Sequence, residues 1–176
     1  MENKKMTRIV LTALFAALAF VATYIIKVPT VGTNGYVNIG DTIVLLCAWM
    51  IGGVYGGLAA GVGSALSDLI AGYGMYVPGT FVIKFLMAVV TYFVFNVMKK
   101  VNVNKVIGYV ISGILAELIM VLGYFLYESI VLGYGLGAAL SIGSNFVQAG
   151  TCLVLGYALI GALEGARVTT LIRKYV

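Results

Sequence analysis

Six apolar runs of about 20 residues, the length that carries an α-helix across a hydrocarbon core, occupy most of the chain, at 7–27, 41–56, 58–73, 80–98, 106–127 and 141–164. The stretch from Asp41 to Tyr73 is too long for one crossing and is interrupted by GGVYGG at 52–57. Charge parity divides it. Lys4, Lys5 and Arg8 precede the first run; Lys99, Lys100 and Lys105 lie between the fourth and fifth; Arg167, Arg173 and Lys174 follow the last. Cytoplasmic segments collect Lys and Arg. Placing all three groups inside requires an even number of crossings between residues 8 and 99, hence two in 41–73. The expectation is a single all-α integral membrane domain over residues 1–176, a six-helix bundle with both termini cytoplasmic. The first run has a basic start and ALA at 17–19, as a signal peptide does. Its apolar character continues to Ile26 without a polar break, so it is taken as a permanent helix.

Composition agrees with that pattern. Of 176 residues, 62% are hydrophobic and 10% charged, and the mean hydropathy is +1.08. A soluble domain uses about a quarter charged residues to cover itself, so the partner that covers this chain is the lipid bilayer. Twenty-three glycines against two prolines fit helices that approach closely through small residues. The net charge of +5 comes from basic residues scattered at segment ends, which is no nucleic-acid footprint. Cys47 and Cys152 lie inside apolar runs and the chain has no histidine, so both are expected as small core residues, with no disulfide, metal centre or cofactor. GVGSALSDL at 61–69 contains G-x-G but starts inside an apolar helix, so it is no dinucleotide fingerprint. No Walker motif is present to couple the chain to ATP by itself, and no nucleophile elbow or clustered acidic motif suggests an enzyme.

The polar residues inside the apolar runs are the candidates for chemistry. AELIMVLGYFLYES at 116–129 places Glu117, Tyr124 and Glu128 within about 40° of one another on one helical face. Glu128 is expected near the outer boundary, where water reaches it. Glu117 is expected about 16 Å deeper, hydrogen-bonded to a neighbouring helix or protonated, because an isolated carboxylate there is expensive. SNFVQ at 144–148 puts Asn145 and Gln148 on one face, as helix glue or as site residues. Lys84 lies one turn inside the outer boundary, to snorkel outward or to pair with Glu128 or a ligand. Asp68 falls at a similar depth as another partner for Lys84, and Asp41 is placed to cap the second helix. The long connection 27–40, KVPTVGTNGYVNIG, is a candidate lid or an ordinary loop. Beneath it, Lys84, Tyr124, Glu128, Asn145 and Gln148 share a depth. With Tyr36, Asn38, Met75 and Tyr76 they form a set of aromatic walls and a few orienting polar groups, the usual composition of a small-molecule site. Ala13, Ala16 and Ala17 in TALFAALA make a small-residue face, for docking another helix or for packing within the bundle.

Three segments carry a resemblance: GDTIVLLCAWMIGGVYGGLAAGVGSALSDL at 40–69, IMVLGYFLYE at 119–128 and SNFVQ at 144–148. In their order and spacing the chain resembles, over its whole length, the substrate-binding S components of energy-coupling factor (ECF) vitamin transporters, in the branch of riboflavin, hydroxymethylpyrimidine and pyridoxine carriers. The resemblance implies a vitamin held by helices four to six and the first outer loop. It also implies that the Ala13, Ala16, Ala17 face docks on a transmembrane T component driven by two ATP-binding cassette ATPases in a bacterial cytoplasmic membrane. Gly143-Ser144 stands where that branch often has a proline. The tyrosines and polar groups suit a hydroxymethylated pyrimidine or pyridine, with riboflavin the alternative, and a small membrane enzyme or scaffold the alternative of another class.

Overall fold

The computed structural model describes residues 2–30, 32–172 and 174–175; Arg173, grouped above with the carboxy-terminal basic residues, lies outside the described residues. Helix α1 runs over Glu2–Ile25 and leads into a small antiparallel hairpin, β1 (Val28–Pro29) and β2 (Tyr36–Val37), with Val28 opposite Val37 and Pro29 opposite Tyr36. Helix α2 (Asp41–Leu46) ends in a π-helical turn at Cys47–Ile51. Gly52 and Gly53, at φ 71° and 54°, then reverse the chain into α3 (Gly53–Ile70). Only glycine takes up such angles without strain, and a Cβ at Gly52 would also lie 2.3 Å from the Tyr92 ring. A 3₁₀ turn (Gly74–Tyr76) opens α4 (Val77–Lys100), which has its proline in the first turn, where no amide donor is lost. Asn104 caps α5 (Lys105–Leu126), its side chain accepting from the Val106 amide at 2.9 Å. The helix runs on through a π turn at Tyr127–Val131, and a 3₁₀ segment (Gly135–Ser141) delivers the chain to α6 (Ile142–Gly165) and the short α7 (Val168–Ile172).

Small residues set the spacing. A Cβ at Gly63 of α3 would lie 2.2 Å from the Ala16 carbonyl oxygen of α1, and one at Gly57 would lie 2.8 Å from the Phe85 ring of α4. Between these helices and α6 sits α2 with its π turn, buried along almost its whole length from Asp41 to Ile51. Large apolar side chains on the other helices point outward, among them Ile9, Val10, Leu14, Phe93, Leu122, Val147 and Val154, the inverse of a soluble surface.

Four helical stretches among the described residues are long and apolar enough to cross a membrane: Lys4–Ile25, Gly74–Lys100, Lys105–Val131 and Gly135–Gly165. The run expected at 41–56 is instead Asp41–Ile51, about 16 Å long at 1.5 Å per residue. Its connection to α3 is two glycines rather than the hexapeptide GGVYGG. The stretches 74–79 and 128–140, expected as outer loops, are mostly helical. The half-length helix has a consequence for the site. Lys84 and Gln148, seven and six residues into α4 and α6, both reach Asp41 at its start. Helix α2 therefore begins about 10 Å below the hairpin ends of its neighbours, leaving room above it. At the opposite end Arg8 and Lys99 line one opening, Arg8 lies over the Tyr55 ring at 4.3 Å, and Lys105 pairs with Glu164.

Gly63→Ala and Gly161→Ala separate packing from propensity. Alanine favours a helix over glycine by about 0.5–1 kcal/mol, and a Cβ at Gly161 meets nothing within 4 Å. Thermal unfolding in mild detergent is expected to show Gly161→Ala unchanged or raised and Gly63→Ala lowered, by about 1–3 kcal/mol of overpacking. A rise in both variants would contradict the close α1–α3 contact.

Candidate functional site

Asp41, Lys84 and Gln148 meet at the buried start of α2. The Lys84 ammonium pairs with Asp41 Oδ1, and Gln148 Nε2 donates to Asp41 Oδ2 at 2.5 Å. Gln148 Oε1 accepts from the Asn38 amide at 2.7 Å, and Asn38 Oδ1 accepts from the Gly40 amide at 2.7 Å. Lys84 is 1% exposed and Asp41 is fully buried. At that depth each charge depends on the other, because an unpaired ion would keep most of its desolvation penalty. The Tyr124 ring covers the ammonium from another side, with its centroid 5.1 Å away. The sequence-based expectations for this cluster need correction. Lys84 neither snorkels nor pairs with Glu128 or Asp68. Asp41 is not the cap: Gly40 holds that position without a side-chain cap bond, and Asp41 serves as the lysine's counter-ion.

Above this cluster the hairpin closes the space on two carboxylates. The Tyr36 hydroxyl donates to Asp68 Oδ1 at 2.5 Å, and its ring lies 4.5 Å from that of Tyr73. Burial, reinforced by the neighbouring Asp68 charge, holds the Tyr36 phenol well above its ordinary pKa, so it remains a donor. The Tyr76 hydroxyl donates to Glu128 Oε1 at 2.9 Å, and Ser141 Oγ lies 2.5 Å from Glu128 Oε2. Thr80 and Tyr124 share a hydrogen bond of 3.0 Å. Glu128 is 2% exposed: the π turn and the 3₁₀ segment fold over it, so it is not the hydrated boundary residue expected from its position. The cavity between these groups is small, about 20 Å³ of space for water centres, enough for about one water.

Residues 3–165 match the family described as "ECF-type riboflavin transporter, S component". The chain belongs to this family. A protein of Pyrococcus woesei described as "Uncharacterized protein in gap 3'region" is 34% identical over 137 residues, covering 77% of this chain and 87% of that protein. The family is one of transporter subunits and not of enzymes, and its substrate-binding role for vitamins gives the buried cavity a context.

In this S component the cavity gathers Tyr36, Asn38, Tyr76, Lys84, Tyr124, Glu128, Asn145 and Gln148 on one lining, together with Thr23, Thr30, Gly35, Asp68 and Thr80. They differ in availability. Lys84 and Gln148 are committed to Asp41. Asn145 is 5% exposed, lines the cavity, and its side-chain amide has no hydrogen bond among the described residues. Met75 does not join them: it is half exposed and faces a separate opening beside Tyr73. Thr80 was legible, since Tyr76, Thr80 and Lys84 follow one another at four-residue steps on one face of α4. Thr23 and Thr30 belong to the end of α1 and to the hairpin, where no periodicity marks them. Glu117 lies outside the lining. It is 2% exposed and, among the described residues, neither carboxylate oxygen has a hydrogen-bond partner, in place of the expected bond to a neighbouring helix; it feels the charges of Asp41 and Lys84. On α1, Ala13 and Ala17 are exposed whereas Ala16 is partly buried, with its carbonyl oxygen against Gly63. The three alanines do not form one free face.

Lys84→Met leaves the Asp41 carboxylate buried without a cation, a change expected to cost roughly 3–5 kcal/mol of stability. Adding Asp41→Asn removes the stranded charge and keeps an acceptor for Gln148, so the double variant is expected to regain more than half of the loss. Denaturant unfolding of the wild type, the single and the double variant decides it. A Lys84→Met protein as stable as wild type would remove the pair from its anchoring role.

Proposed function

We propose that this chain is the substrate-binding subunit of an ECF-type importer, taking up a small hydroxylated aromatic heterocycle of the hydroxymethylpyrimidine or pyridoxine kind. One observation carries the reading: three tyrosines and the Asn145 amide, which makes no hydrogen bond among the described residues, converge on a small cavity that the hairpin closes from above. Rings supply flat contact area, and the few polar groups set orientation. A one-ring ligand enters by shifting Tyr36 and Tyr76, whereas a tricyclic flavin requires a much larger displacement of the hairpin. Riboflavin stands as the second reading, favoured by the description of the family. Isothermal titration against pyridoxine, hydroxymethylpyrimidine and riboflavin tests both. Asn145→Ala is expected to weaken binding of the one-ring ligand roughly tenfold to a hundredfold, the equivalent of about 1–3 kcal/mol for a lost buried hydrogen bond. Tight binding of riboflavin alone would transfer the assignment to the second reading.

The same proposal has the chain crossing the bacterial cytoplasmic membrane six times with both termini inside. Helices α2 and α3 complete the count, and the short α2 is acceptable because its neighbours, not lipid, surround it. In support, Arg8, Lys99 and Lys105 share the end opposite the hairpin, the distribution expected of a cytoplasmic face. Energy comes from two partner ATPases through a T component, which docks on the exposed Ala13 and Ala17. Ala13→Trp and Ala17→Trp are expected to abolish uptake by the assembled transporter while leaving the Kd of the isolated chain within about twofold, since α1 contributes to the cavity only near its other end, at Thr23. A Kd that weakens as far as uptake does would identify this face as internal packing.

A further inference from the structure

The charges around the cavity do not balance. Its lining contains three ionisable carboxylate or ammonium groups: Lys84, Asp68 and Glu128. Lys84 is already matched by Asp41, just below. Asp68 is 3% and Glu128 2% exposed, and among the described residues neither has a basic side chain in salt-bridge contact. The nearest further cation on the hairpin side is Lys27, at the rim, with its ammonium 3.9 Å from the Tyr24 ring centroid and 6.0 Å from that of Tyr36. The two carboxylates are held instead by neutral hydroxyls, Tyr36 on Asp68 and Tyr76 with Ser141 on Glu128. These supply hydrogen bonds but no compensating charge.

Both carboxylates contact the hairpin, Glu128 beside its backbone and Asp68 at the tip of the Tyr36 side chain. Tyr36 bonds Asp68, and a Cβ on the preceding residue, Gly35, would lie 3.3 Å from Glu128 Oε1. Beside them Asn145, 5% exposed, lines the cavity, and its amide makes no hydrogen bond among the described residues, so it can bond a ligand. Ser141 adds a degree of freedom. Its single hydroxyl proton has two acceptors in reach, Glu128 Oε2 at 2.5 Å and the Ala138 carbonyl at 2.9 Å, so turning to the carbonyl opens Oε2 to another donor. The Tyr124 and Tyr36 rings offer π faces on the same lining.

We infer that the site selects a cation: the ligand is an aromatic heterocycle bearing a protonated ring nitrogen or amino group, whose positive charge sits between Asp68 and Glu128 while Asn145 bonds its neighbouring polar edge. The inference rests on the cavity being the substrate site, and it narrows the proposed ligands to those that carry an amine or a basic ring nitrogen. A neutral ring of the same shape leaves Glu128 without a cation in contact and Asp68 with only the more distant Lys84 and Lys27 charges, the arrangement by which a site rejects the wrong partner.

Matched pairs of ligands test it. The full chain in lipid nanodiscs is titrated calorimetrically at neutral pH with pyridoxamine against the carbocyclic analogue of pyridoxine, in which C–H replaces the basic ring nitrogen, with the aminohydroxymethylpyrimidine against its oxo counterpart, and with riboflavin. The amine-bearing member of a pair is expected to bind about tenfold tighter or more, as befits a buried charge pair. Asp68→Asn and Glu128→Gln keep shape and hydrogen-bonding reach, so each is expected to shrink that preference to about threefold or less. Thermal unfolding verifies that each variant is folded. Equal or tighter binding of the neutral member by wild type, or a preference that survives in both variants, overturns the inference while leaving the site in place. No binding of any of the five compounds by folded wild-type protein overturns the site reading itself, and the inference with it.

Discussion

Lys84 and Asp41 are both out of reach of water, and each is stable there only because of the other. Their pairing fixes more than two side chains. It pins the first residue of α2 about two turns below the ends of α4 and α6, so the central helix stops short and a chamber is left above it. Gln148 takes the remaining Asp41 oxygen and passes the constraint to the Asn38 backbone, which anchors the root of the hairpin. One ion pair thus sets the floor of the cavity and one attachment of its lid. It also commits the lysine to Asp41, so neither Asp68 nor Glu128 has a basic side chain in contact among the described residues.

The lid is attached differently. Its contacts with the chamber include hydroxyl-to-carboxylate bonds from Tyr36 at one side, while Tyr76 and Ser141 hold the second carboxylate from α4 and the segment before α6. In the proposed mode of binding, a ligand bearing N–H groups occupies the same carboxylates as the hydroxyls turn away, without opening the floor. The division between a fixed ionic floor and a hydroxyl-held lid is what a site needs if it must capture a ligand from one side and later release it.

The long apolar runs were legible, because lipid imposes a length on each crossing and basic residues mark one face. Helices α1, α4, α5 and α6 therefore begin and end within a few residues of their expected bounds. Helix α2 was not legible as a half-length element. Its sequence DTIVLLCAWMI is as apolar as a crossing, and only the Gly52–Gly53 reversal and the partners of Asp41 shorten it. The cavity residues were found through their common depth, which periodicity gives, but the pairings among them were not: Asp68 and Glu128 shared the depth of Lys84 and were its expected partners, whereas Asp41, which does pair with it, was assigned to capping α2. Choosing among them requires the azimuth of each helix, a property of packing between α2, α4 and α6 and not of any single segment. Met75 failed for the same reason. It shares the depth of Tyr76 but points to the other side of the 3₁₀ turn.

The chain belongs to the S component family, and the proposal is that its cavity holds one small ring. The most direct test of that claim is native mass spectrometry of the chain purified from its own membrane in mild detergent, with the bound small molecule released and identified. The account predicts one nitrogen-containing, single-ring heterocycle per chain. Recovery of riboflavin, or of lipid alone from a folded protein, would contradict it.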